Sequence, residues 1–205
     1  AEVRRGVASR MREIYVVTGP AEEPVSVEEA KTHLRIDQAD EDVWLDTAVR
    51  AVRERVERVT GRTLVTQTLE VTGDGWPAGP VLVLPRPPLV SVVSIKYTDA
   101  AGVEATLASD DYYVDTRSTP GRVVLKAGKS WPGTALREAN GVVVRFVAGY
   151  GATRAAVPAE IRAGMLLALG ELYENRENTA PPGGLSTIPN AAERMWLKYR
   201  VWEAW

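Results

Sequence analysis

The apolar residues of this chain change their period twice, and no all-helical or all-strand fold accommodates that change. From Arg62 to about Tyr150 they alternate with polar residues or form short runs, whereas the flanking segments space them as a helix does. A strand presents alternate residues to one face and a helix presents i, i+3, i+4 and i+7, so one element cannot satisfy both patterns. The chain is therefore read as α+β: a helical core of three main helices plus a C-terminal segment, interrupted by an antiparallel β-rich insertion. A length of 205 residues is enough to bury a sizeable core.

Local signals place the elements. In PVSVEEAKTHLRI, Ser26 and Glu29 have capping-box spacing, in which each side chain satisfies a backbone N–H at the other residue. Ala30 and Leu34 follow on one face. Asp40 is read as the N-cap of a second helix. Its apolar stripe is Leu45, Ala48, Val52, Val56 and Val59, its charged face Arg50, Arg53, Glu54, Glu57 and Arg58, and Gly61 its C-terminal cap. In the insertion, TLVTQTLEVT, VLVLP, DYYVD and GRVVL read as strands, and LVSVVSIKYTDAAGVEATL as a hairpin turning at Asp99 to Gly102. In GVVVRFVAGYG, Val142, Val144 and Phe146 face one way, and Val143, Arg145 and Val147 the other. Pro158 suits the first position of the third helix. Ile161, Met165, Ala168, Leu169, Leu172 and Tyr173 cover so much of that helix that it is placed centrally in the core.

These signals divide the chain into a basic arm at 1–13, helical core at 14–61, β-rich insertion at 62–150, helical core again at 151–179, a Pro/Gly-rich linker at 180–190 and an aromatic segment at 191–205. The arm carries Arg4, Arg5, Arg10 and Arg12. It reads either as a solvated extension, with Met11 an alternative start, or as a contact for DNA or another partner.

The chemistry of an enzyme is thinly supplied. There is no cysteine, which removes disulfides, thiolate catalysis and the common structural zinc sites. The only histidine, His33, lies between charged neighbours and reads as a surface or half-buried helix position. GKS at 128–130 lacks the upstream glycines and following helix of a phosphate loop. Asp37, Asp40, Glu41 and Asp42 lack the glycine and distal glutamate of a calcium loop, and read as capping residues. The glycines of AGYGA permit tight backbone geometry. No cofactor and no metal are expected. A formal net charge of −2 argues against a dedicated nucleic-acid binder, and no apolar run reaches membrane-spanning length.

The order of the pieces is more specific than any one of them. EPVSVEEAKTHLRID, a charged helix ending VTGRTL, LPRPPLVSVVSIKYTDAAG, VRFVAGYG and a helix ending LYENRE together resemble the head–tail connector, or adaptor, family of long-tailed phages and gene transfer agents. The resemblance runs from about residue 14 to the C-terminus. It implies a non-enzymatic subunit of a virion or virion-like particle, assembled in the bacterial cytoplasm. The implied assembly is a ring, a dodecamer, beneath the portal, with a stopper or tail-completion protein below and DNA passing through without sequence-specific binding.

The resemblance also implies that the C-terminal segment docks in portal crevices. Where the family often carries an apolar stretch and Pro-Tyr-Arg, this chain has MWLKYRVW, with Lys198 in the proline position. The residues expected to dock are Met195, Trp196, Leu197, Tyr199, Arg200, Val201, Trp202 and Trp205. A DNA-binding accessory protein using the arginine arm is the alternative reading. A small hydrolase built on His33 is the remaining one, and loss of activity in His33→Ala would identify it.

Overall fold

A computed structural model describes residues 11–175 and 191–201. The chain forms two compact units, one helical and one of β-strands.

The helical unit is built from Pro20–Thr66 and from Tyr150 onward. Helix α1 (Val27–Leu34) begins with the expected capping box: the Glu29 N–H donates to Ser26 Oγ at 3.0 Å and the Ser26 N–H donates to Glu29 Oε2 at 2.8 Å. Helix α2 (Asp42–Thr60) ends at Gly61, whose φ of 67° is the left-handed conformation that glycine adopts without strain. Its N-cap is Glu41, with no side-chain cap bond, rather than Asp40. Helix α3 (Ala159–Glu174) starts after Pro158, which holds the N-cap position instead of the first helical one. Helix α4 (Ala191–Leu197) follows.

The core of this unit gathers Leu45, Val49, Val52 and Val56 from α2 and Ile161, Met165, Ala168 and Leu169 from α3, with Trp196 from α4. As anticipated, α3 is central. Leu172, however, is exposed, and Tyr173 meets Trp44 edge to face. The charged face of α2 is not uniformly solvated. Arg53 and Glu57 are only 9% and 8% exposed, because Arg53 donates to Glu23 at 2.8 Å and Glu57 at 3.1 Å. Glu57 also accepts the Leu64 N–H at 3.0 Å, which fixes the chain leaving α2.

The β unit contains Gln67–Gly149 and the strand β1 (Met11–Thr18). The further strands are β2 (Gln67–Gly73), β3 (Val81–Val83), β4 (Leu89–Thr98), β5 (Glu104–Thr106), β6 (Tyr112–Asp115), β7 (Arg122–Leu125) and β8 (Val142–Ala148). They form a five-stranded antiparallel sheet in the order β1-β2-β8-β4-β5 and a three-stranded sheet in the order β3-β7-β6. One core joins Leu69, Val71, Ile95, Val144 and Phe146 of the larger sheet to Leu82 and Val123 of the smaller. The alternation expected in β8 holds: Val142, Val144 and Phe146 are buried and Arg145 is exposed.

The β4–β5 hairpin turns where expected. Asp99 Oδ1 accepts the N–H groups of Ala101 and Val103, and Gly102 takes φ 83°. Strand β1 departs from the sequence reading, which gave 11–13 to an arm and 14–18 to the helical part. The β-branched run after Glu13 pairs with β2, and that cross-strand pairing outweighs proximity to α1 in sequence. The unit boundaries also fall inside the expected 62–150: residues 62–66 and Tyr150 belong with the helices.

Candidate partner-binding surfaces

The C-terminal segment divides into residues held by the chain and residues that face outward. Trp196 is 0% exposed. Its indole N–H donates to the Ile161 carbonyl at 3.2 Å, and a Cβ on Gly164 would stand 2.4 Å from the indole nitrogen. Gly164 thus leaves the slot that the indole fills. Val201 is also buried, and its N–H donates to the Thr60 carbonyl at 2.8 Å. Arg62 Nε donates to the Tyr199 carbonyl at 2.6 Å, and its guanidinium lies 6.0 Å from the Tyr150 ring centre. Arg55 pairs with Glu193 at 2.5 Å, and Lys198 with Glu160.

The expected docking residues are therefore not equivalent. Trp196 and Val201, expected to present themselves to a partner, are placed here as anchors within the chain's own core. The physical reason is the glycine slot, which the apolar pattern of α3 does not announce. Met195 and Tyr199 are partly buried against the same core, while Leu197 and Arg200 are exposed. Trp202 and Trp205 lie outside the described residues, as do Arg4, Arg5, Arg10 and the linker at 180–190; Arg12 falls within β1.

An electrostatic clamp holds the segment before α1. Arg154 Nη2 donates to Glu22 Oε2 at 2.9 Å, and Arg162 pairs with Glu29 and donates to the Pro24 carbonyl at 3.0 Å. The Arg154 side-chain bond holds the Glu22 carboxyl below the ordinary glutamate value, helped by the Arg154 backbone N–H. In the β unit the Ser118 hydroxyl and then Arg122 hold Asp115 well below the carboxylate range, tying the ends of the β6–β7 turn together. Each shift is accounted for by these local partners.

The weak catalytic signals fall on ordinary structure. His33 is exposed on α1. Lys129 of GKS pairs with Asp111 at 2.6 Å in a turn where Gly128 takes φ 78°. Asp42 pairs with Lys31 at 2.7 Å. A Cβ on Gly151 would stand 2.5 Å from that of Ala156, so close approach explains this glycine of AGYGA. Among the described residues no cluster of three or more His, Cys, Asp or Glu has metal-holding geometry. Among their helices none is long and apolar enough to cross a membrane.

The β unit shows a surface that the sequence reading missed. Tyr15, Val16 and Val17 of β1 are exposed, as are Val90 and Val93 of β4. The signal was the run IYVVT, legible as a strand but without a visible pairing partner.

Residues 24–109 match the phage gp6-like head-tail connector protein family. No curated protein sequence matches the chain. Similar solved structures come from gene transfer agent particles. A subunit from the neck of an empty particle, computed with C6 symmetry, is 24% identical with a TM-score of 0.78. One from the virion of the native particle is 23% identical with a TM-score of 0.77. One from the native neck, computed with C12 symmetry, is 22% identical with a TM-score of 0.75. Each alignment covers 95% of this chain and 98% of the other. Over residues 24–109 the chain resembles in sequence the phage gp6-like head-tail connector protein family, and over nearly its whole length it has the fold of subunits found in the neck and virion of gene transfer agent particles.

Proposed function

We propose that the chain is a structural, non-enzymatic subunit of the head–tail junction of a phage or gene transfer agent particle. It forms a ring with copies of itself, a dodecamer, joins the portal to a stopper or tail-completion protein, and surrounds the DNA channel. The observation that carries this reading is the coincidence of a connector-family sequence at 24–109 with a neck-subunit fold across 95% of the chain. The C6 and C12 symmetry of the similar necks supports a closed, head-to-tail ring.

Portal docking then falls to the outward residues of the C-terminal segment, Leu197 and Arg200, with Met195 and Tyr199 at its margin and Trp202 and Trp205 beyond. Trp196 and Val201 position that segment. The net charge of −2 suits a channel that DNA traverses, since tight phosphate binding would hinder passage. Light scattering of the full chain, alone and mixed with portal protein, tests the reading. A ring-sized species in either sample is expected, and no assembly in both overturns it.

A further inference from the structure

We infer that neighbouring copies join through their β units by strand addition, β1 of one copy lying along the open margin of β4 in the next. The inference rests on the ring reading above and specifies which surface closes the ring.

Strand β1 is eight residues long and forms one edge of the five-stranded sheet. Among the described residues no strand pairs with its outer side. Its apolar side chains project from both faces. Val16 lies opposite Leu69 on the core-facing side, and Tyr15 lies opposite Glu70 on the other. A partner lying on one face would cover only half of them. A strand laid along the edge covers both, because its own side chains alternate between the same two faces. An uncovered apolar edge of this length invites association, and soluble proteins usually blunt it with charge, proline or a short strand.

The opposite margin offers a matching site. Strand β5 pairs only with Lys96–Thr98, so most of β4 has no strand on its outer side among the described residues. Val90 and Val93 sit there at two irregularities in the β4–β8 register, 48% and 56% exposed. Successive antiparallel pairings from β1 through β2 and β8 make β1 and β4 run in opposite directions. A copy added at the sheet margin therefore continues the antiparallel ladder without reversing a strand. The two margins differ, so the contact is heterologous and can repeat from copy to copy, as a ring requires and a two-fold dimer does not.

The chain has no cysteine, which allows a clean cross-linking test. Val16→Cys and Val93→Cys replace exposed side chains, and circular dichroism checks that the double variant folds. Under conditions where scattering shows the ring, on portal protein if required, a short bismaleimide should convert the double variant into a ladder extending beyond dimers. Each single variant should remain uncross-linked. A ring that forms without cross-links overturns the strand-addition inference and leaves the ring reading intact. Dimers from Val16→Cys alone overturn it in favour of a two-fold β1 contact. Absence of any ring overturns both. Hydrogen exchange gives an independent readout on the unmodified chain. The alternate amides of residues 14–18 that point away from β2 should exchange freely in the monomer and become protected on assembly. Protection already present in the monomer, or none gained in the ring, overturns the inference.

Discussion

Replacing Trp196 by alanine tests whether the C-terminal helix is part of the core. The indole is fully buried, donates to the Ile161 carbonyl and fills the slot left by Gly164. Truncating a buried tryptophan to alanine costs about 3–5 kcal/mol, combining lost burial with the cavity left behind. The lost hydrogen bond, worth about 1 kcal/mol, falls within that range. Against a typical domain stability of about 5–15 kcal/mol, this is a large fraction, and the Tm should fall by about 10 °C or more. Urea unfolding followed by circular dichroism measures it without relying on tryptophan fluorescence.

Gly164→Ala supplies the control. A helix interior gains about 1 kcal/mol when glycine becomes alanine, but here the new Cβ would stand 2.4 Å from the indole nitrogen. The substitution should destabilise the wild-type chain and stabilise the Trp196→Ala chain. That change of sign belongs to two residues in direct contact. A Trp196→Ala cost below about 1 kcal/mol, or a Gly164→Ala chain more stable than wild type, would refute the packing argument.

Other perturbations probe the remaining joints. Glu57→Ala leaves Arg53 with Glu23 and the more distant, exposed Glu54, and the Leu64 N–H without its acceptor, so urea denaturation should show a loss of about 3 kcal/mol, the lower end for breaking a buried pair. Glu22 has a depressed folded-state pKa, so its stabilisation is present above the ordinary glutamate range and is lost as pH falls through the depressed value. Glu22→Gln should therefore flatten the acid limb of a stability-versus-pH curve and leave the alkaline limb unchanged. Excising Gln67–Gly149 with a short Gly/Ser bridge should leave a helical unit that still unfolds cooperatively. The ends to be bridged are held close by the Tyr150 N–H donating to Leu64 at 2.8 Å and the Thr66 N–H donating to Gly151 at 2.9 Å; a non-cooperative or unfolded product would show that the helices lack an independent core.

What the sequence determined by itself was local. Period and capping depend on residues a few positions apart, so Ser26 with Glu29, Gly61, the Asp99–Gly102 turn and the faces of β8 were readable directly. The order of these pieces also carried the resemblance to connectors. What only the tertiary structure decided depended on partners distant in the chain. The run around Tyr15 becomes a sheet edge only because β2, some fifty residues later, offers its ladder. Arg53 and Glu57 look like a solvated face until Glu23 and Leu64 N–H pair with them in the interior. Trp196 looked free to meet another protein because its slot is written as a missing side chain, Gly164, thirty-two positions earlier. A sequence pattern shows where apolar groups recur; it does not show which gap in a distant helix receives one of them.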